Sequence, residues 1–314
     1  MSEAVLYKEA INQIDYTPTA AKAAGEVVEL ADGRAGVVAT DLAAAEMGAA
    51  YTMGVFTVAK TATMVVLDGQ KLYWDAANSK CKYTGDFYIG VAVEDAASAA
   101  TTVKVALNAK QSARIRMGES SFDYKEIDGG SDGVLGVNVL PGNEVQLGFD
   151  AIAEAALAMI ISRDSIAVTA DWIFEAWVNV VDKGDHTDLV LSVGVANASH
   201  DTDMESATEF CLLHLDGGTL GLDVASDDGT TDVAAEDTTA NCVEGTPFFL
   251  QIDGRAPAAI LAYVNGVVDA GTTAKRLDNA TGPLKAIAHL AKASNDTTAD
   301  VRVRDMLIRT TRTA

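Results

Sequence analysis

The chain has 314 residues, 49% of them apolar and 6% aromatic, and a formal charge of −22 from 45 acids against 23 bases. That length predicts two domains of ordinary size, each able to bury a real core. The acidic excess excludes a surface built for nucleic acid or anionic membrane, since both partners are themselves negative.

The charge is uneven. Residues 1–110 carry 13 acids and 9 bases, residues 111–314 carry 32 and 14, and no Lys or Arg occurs from Gly184 to Gly254. The ordinary reading is a solubility coat; the functional one is cation binding or repulsion between neighbouring copies in an assembly. Cys81, Cys211 and Cys242 form no CxxC unit or zinc spacing, which points to reduced thiols, with a Cys211–Cys242 pair left open. The N-terminus has no apolar h-region, and the longest apolar stretch, 155–161, is far too short to span a bilayer. A soluble protein without membrane partners is expected.

In chain order, residues 1–24 are predicted to form an extended N-terminal arm. Pro18 disfavours helix at Thr17. Val5, Leu6, Tyr7, Ile11, Ile14 and Tyr16 are too many apolar groups to leave in water, so they pack on their own domain or on a neighbour. Residues 25–109 alternate short β runs with turns, the spacing of a small β-barrel or sandwich domain. Asp32-Gly33 and Asp68-Gly69 are hairpin-type signals. The segment Thr40 to Glu46 is the one predicted helix, capped by Thr40 or Asp41.

Residues 110–133 read as a linker, with a short strand over 112–117 and a flexible turn cluster over 128–133. Residues 134–314 are predicted to hold strands at 144–149, 156–162, 172–181, 189–196, 209–215, 220–225, 248–252, 260–264, 286–290 and 300–308. In the third of these, Trp172, Phe174, Ala176, Val178 and Val180 share one face. Asn265-Gly266 supplies both positive φ angles of a type I′ turn. So many strands with almost no helix predict a two-sheet antiparallel jelly roll, making the whole chain all-β.

Specific wording strengthens this reading. The blocks Gly25-Glu-Val-Val, Gly36-Val-Val-Ala-Thr-Asp-Leu-Ala, Gly54-Val-Phe-Thr-Val-Ala-Lys, Gly69-Gln-Lys-Leu-Tyr-Trp-Asp, Ile89-Gly-Val-Ala-Val-Glu and Val103-Lys-Val-Ala-Leu stand in this order. Together with the segment from Ala4 to Pro18, they resemble the phage capsid cement (head decoration) proteins. The resemblance implies a structural virion protein that stabilises the outer surface of a tailed-phage capsid by binding across major capsid protein subunits. It also implies synthesis in the host cytoplasm and copies of itself as partners, a homotrimer before a dimer. The apolar residues expected at the capsid contact are Val5, Leu6, Tyr7, Ile14 and Tyr16.

Residues 134–314 resemble the concanavalin-like, laminin-G-like jelly rolls. The carrying features are the strand at 172–181, the segment 187–196, the 262–268 hairpin and the closing strand at 299–308. This resemblance implies an alternative role as a carbohydrate-binding adhesion module for host glycans.

No enzyme is expected. A phosphate-cradling G-x-x-x-x-G-K-[ST] loop is missing. Glycoside hydrolysis needs two carboxylates facing one cleft, but beyond Glu175 the strand places Trp177 and Asn179, and Glu175 is expected to face outward. His186 and His200 lie in acidic loops, His214 and His289 lie in strand patterns, and no G-x-S-x-G elbow accompanies them. Calcium is the one cofactor that the acidic loops suggest. Asp201, Asp203 and Glu205 stand at alternate positions, and Asp227, Asp228 and Asp232 form a second acidic loop. The EF-hand pattern is absent, and the ordinary reading is a solvated acidic loop. Trp74 is expected in packing rather than in a ligand platform.

Overall fold

In a computed structural model the protein is described over residues 3–6, 12–113, 115–117, 121–127, 136–269, 271 and 273–310. It divides into two compact units, Met1–Ser112 with Asn265–Val267, and Ala113–Val264 with Val268–Ala314.

The first unit contains β1 (Ala4–Leu6), β2 (Gln13–Tyr16), β3 (Val27–Glu29), β4 (Ala35–Val38), β5 (Gly48–Tyr51), β6 (Val55–Ala59), β7 (Lys71–Asp75), β8 (Lys80–Lys82), β9 (Phe87–Ala92) and β10 (Thr102–Leu107). They form a six-stranded sheet of order β1-β6-β10-β9-β7-β8 and a four-stranded sheet of order β2-β5-β4-β3. Neither closes into a barrel. The apolar alternation of β10, with Val103, Val105 and Leu107 inward, supplies core together with Phe56, Leu72, Trp74 and Ile89.

The two sheets are built alike. The order β2-β5-β4-β3 in one is the order β6-β10-β9-β7 in the other. The connections repeat bond for bond. Lys22 bridges Leu42 as Val66 bridges Ala96. Asp41 Oδ1 accepts from Ala24 N–H at 2.8 Å, as Asp95 Oδ1 accepts from Asp68 N–H at 2.8 Å. Gly25 N–H donates to Val38 O as Gly69 N–H donates to Ala92 O. The words of the sequence repeat too: Gly36-Val-Val-Ala-Thr-Asp-Leu-Ala against Gly90-Val-Ala-Val-Glu-Asp-Ala-Ala. The unit is an internal duplication, with β8 inserted in the second copy and β1 added at its edge.

That duplication corrects two expectations. The helix over Thr40 to Glu46 does not form, because the segment is the second of these tight turns. Leu42 exchanges two backbone hydrogen bonds with Lys22, Glu46 Oε2 accepts from Ala43 N–H, and Ala45 sits at φ 62°. Asp68-Gly69 is the equivalent turn ahead of β7 rather than a loop joining two paired strands. Of the two placements open to the arm, its described part takes the one on its own unit: β1 pairs antiparallel with β6, and β2 with β5.

The second unit contains β11 (Ile115–Arg116), β12 (Phe122–Ile127), β13 (Gly136–Leu140), β14 (Glu144–Phe149), β15 (Glu154–Ser162), β16 (Ile166–Ala167), β17 (Trp172–Asp182) and β18 (Val190–Ala196). It continues with β19 (Glu209–Asp216), β20 (Gly221–Asp228), β21 (Asp232–Asn241), β22 (Phe248–Asp253), β23 (Leu261–Val264), β24 (Val267–Asp269), β25 (Pro283–Asn295) and β26 (Ala299–Thr310). One sheet runs β13-β14-β26-β17-β22-β23-β24 with β11 on β26; the other runs β12-β15-β25-β18-β19-β20-β21 with β16 on β25. All registered pairs are antiparallel, and the only helical turn among the described residues is Met204–Ser206.

The main core lies between these sheets, with Trp172, Phe174, Val178, Leu147 and Val303 of one meeting Leu191, Val193, Leu213, Ala288 and Leu290 of the other. A smaller cluster on the far side of the second sheet holds Met159, Phe210, Leu212 and Ile287 under Met204. The centre of that sheet is therefore covered on both faces, which is why β18 and β19 read as continuous apolar runs rather than alternating ones. The β23–β24 turn has Asn265 at φ 51° and Gly266 at φ 74°, the type I′ geometry its wording demands. The linker expected over 110–133 contains β12, which pairs with β15 along its whole length, while the turn cluster at 128–133 lies outside the described residues.

Candidate functional site

Four of the five residues expected at a partner contact are divided between the two sheets of the first unit. Val5 and Leu6 lie on β1, opposite Thr57 and Phe56 of β6. Tyr7 lies outside the described residues. Ile14 and Tyr16 lie on β2, half-buried against a cluster of Val28, Leu30, Val38, Leu42 and Ala50. Met47 and Met53, singled out by no sequence signal, are 72% and 46% exposed at the two ends of β5, the strand that β2 pairs with. Asn12 Nδ2 donates to Met53 Sδ at 3.0 Å.

The acids of the 200–205 loop point to separate partners. Asp201 pairs with Lys125. Asp203 Oδ1 accepts from Glu205 N–H at 3.0 Å and caps the short helical turn. Glu205 Oε1 lies 3.9 Å from His214 Nδ1, and burial raises its carboxyl above the ordinary range. In the other acidic loop Asp227 Oδ1 accepts from Gly229 N–H, and Asp228 holds Thr230, Thr231 and Asn279. Among the described residues no three His, Cys, Asp or Glu side chains are grouped as metal ligands.

Glu175 is not the outward-facing acid expected. It is 3% exposed, and its Oε1 accepts from Arg309 Nε at 3.1 Å, Arg309 Nη2 at 3.0 Å and Gln251 Nε2 at 3.1 Å. The cause is tertiary: its face of β17 is covered at this level, where Ile173, Gln251, Leu307 and Arg309 are all buried. A carboxylate locked to a buried guanidinium is no general acid.

A Ser-His-Asp chain that no motif announced does form. Ser192 Oγ stands 3.4 Å from His214 Nδ1, and His214 Nε2 stands 2.9 Å from Asp216 Oδ1. Strand pairing of β18 with β19 brings Ser192 opposite His214. Ser192 is wholly buried, so the arrangement serves as a polar row across the sheet. The same row continues to His289, whose Nε2 bonds His200 O at 2.9 Å and whose imidazole is held down to about 4 by burial. All three cysteines are buried free thiols, so the Cys211–Cys242 pair left open by the sequence is not formed. Trp74 is 1% exposed and belongs to the core.

Residues 8–107 match the phage cement protein family. The match spans nearly the whole duplicated unit and stops at the end of β10. No curated protein matches the chain. Among solved structures, the chain is similar to the carbohydrate-binding module CBM66 from Bacillus subtilis, at 10% identity and TM-score 0.36, over 60% of this chain and 95% of that one. It is similar to a protein studied with the endo-acting O-glycanases that human gut microbiota use to initiate mucin breakdown, at 9% identity and TM-score 0.47, over 64% and 96%. It is also similar to the Emp47p carbohydrate recognition domain, at 10% identity and TM-score 0.42, over 62% and 92%.

Proposed function

We propose that this protein decorates the outer surface of a tailed-phage capsid and stabilises it by binding across major capsid protein subunits, with further copies of itself as neighbours, as a trimer before a dimer. The observation that carries this reading is the cement-family match over residues 8–107, which falls on one compact unit. Stapling of this kind works by apolar area removed from water across a subunit boundary, at about 25 cal/mol per Å² before the costs of association. It adds resistance to expansion because the bound shell is favoured by mass action. The acidic surface keeps such copies soluble and apart until they dock.

The test is saturable binding of the whole chain to purified expanded shells lacking it, together with a rise in the shells' thermal or chemical resistance. Deleting the first twenty residues is the wrong control, because it removes two paired strands. Failure of the intact chain to bind would refute the reading.

A second reading, glycan adhesion through the jelly roll, is favoured by one surface. On the outer face of the β14-β26-β17 part of its first sheet, Gln146, Arg302 and Asn179 stand in one row. Among the described residues the buried atoms Arg302 Nε and Asn179 Oδ1 have no hydrogen-bond partner, while the Arg302 guanidinium pairs with Asp300 and Glu144. Beside them half-buried Trp177 lies 5.2 Å from the Arg304 guanidinium. Glycan-array binding lost in Asn179→Ala would support this reading, and a blank array would remove it.

A further inference from the structure

We infer that the open edge of β2 is a strand-addition site, which takes one antiparallel extended segment of the capsid shell protein. This rests on the cement reading above and goes beyond it by naming the surface and the mode of docking.

The argument is an account of sheet edges. An exposed edge leaves backbone N–H and C=O groups unpaired, and a folded protein covers or blunts such edges. The duplicated unit has four equivalent edges. The β6 edge is covered by β1 and the β7 edge by β8. The β3 edge is capped, since Glu3 Oε2 accepts from Val27 N–H at 3.0 Å and Ala4 N–H donates to Gly25 O at 2.9 Å. Among the described residues only the β2 edge has neither strand nor cap.

Its polarity can be read from the register. Thr52 N–H donates to Asn12 O, and Ile14 and Tyr16 stand opposite Ala50 and Gly48. In an antiparallel pair, alternate residues bond inward and outward. Gln13 and Asp15 therefore direct their N–H and C=O groups away from β5, into the open edge.

The duplication says what fits there. At the equivalent edge of the other half sits β1, a short antiparallel strand reading Ala4-Val-Leu6. An extended segment of similar small and medium apolar residues matches the vacant position. Exposed Met47 and Met53 stand at the two ends of the neighbouring β5, and methionine adapts to varied apolar partners. Exposed Asp15 discourages indiscriminate pairing and selects a strand carrying Lys or Arg opposite it. Main-chain bonding of this sort gives affinity, and alternate side chains give specificity.

The test uses the whole chain on shells lacking it. Asp15→Pro removes one outward N–H and keeps the β5 ladder, since proline is tolerated at an edge position of this kind. Shell binding at least tenfold weaker, with an unchanged thermal melt, is the expected result. A second measurement needs no variant: amides of Gln13 and Asp15 in the wild-type chain gain hydrogen-exchange protection on shells. Wild-type affinity in Asp15→Pro, or unprotected amides in the bound wild type, would overturn the inference while leaving the cement reading intact. Loss of self-association with shell binding unchanged would assign the edge to a second copy and overturn it equally. No binding by the wild-type chain would refute the cement reading and the inference together.

Discussion

The Glu175–Gln251–Arg309 cluster offers a sharp test of how the jelly roll is held. All three side chains are essentially buried, at 3%, 0% and 2% exposure, and three donors converge on one carboxylate oxygen. Arg309→Met keeps the volume and the apolar stem but withdraws the guanidinium from the buried Glu175 carboxylate. Breaking a buried pair from one side costs about 3–5 kcal/mol, because the remaining charge is stranded without compensation. For a unit of this size about 2–4 °C of melting temperature accompanies each kcal/mol, so the loss is roughly 6–20 °C. Replacing the whole cluster, with Glu175→Leu, Gln251→Leu and Arg309→Met together, removes every stranded group and returns stability to within about 1 kcal/mol of wild type. Urea titrations followed by the fluorescence of Trp172 and Trp177, both on β17, read the transition of this unit. A loss below about 1 kcal/mol in Arg309→Met, or a triple variant whose losses simply add, would refute the reasoning.

Other outcomes follow from the same geometry. Because burial holds the folded-state His289 pKa down to about 4 while an unfolded imidazole titrates near 6.5, the unfolded chain binds the extra proton between these values. This residue's share of stability, up to about 3 kcal/mol, is therefore complete above pH 6.5 and lost as pH falls toward 4. Urea midpoints measured across that window decline less steeply in His289→Gln. Burial pushes the Cys81 and Cys211 thiols up to about 12, so a thiol reagent at pH 8 labels neither in the native protein and both in denaturant. Asp41→Ala and Asp95→Ala each remove one 2.8 Å bond from an equivalent turn, and each costs about 1–2 kcal/mol in urea titration. Markedly unequal costs would argue against the mechanical equivalence of the two halves.

The strands that sequence reasoning found and the ones it missed differ in kind. β17, β18, β22 and β26 carry the apolar face of the main core, and their alternation or continuous runs announce them. β12, β13 and β21 carry no such signal, and each is the last strand of its sheet. β21, Asp-Val-Ala-Ala-Glu-Asp-Thr-Thr-Ala-Asn, is acidic because one side of it meets water, and such residues score poorly as strand formers. The false helix at 40–46 has the opposite origin. Its alanines favour helix locally, but a tertiary bridge to Lys22 and the cap from Glu46 claim the backbone groups a helix would have used.

The sequence by itself determined the all-β class, the match of residues 8–107 to phage cement proteins and the type I′ turn at Asn265-Gly266. These depend on local chemistry: period-two burial, glycine and asparagine at positive φ, and the wording of short blocks. Only the tertiary structure decided that the arm is two paired strands, that Glu175 is locked to Arg309, and that Ser192, His214 and Asp216 form one row. It alone left the β2 edge without a neighbouring strand among the described residues. Each of those facts depends on which strand lies beside which, and strand pairing joins residues far apart in the chain through backbone bonds that any side chain permits. Register and edge exposure are therefore properties of the assembled sheet, and no short stretch of sequence carries them.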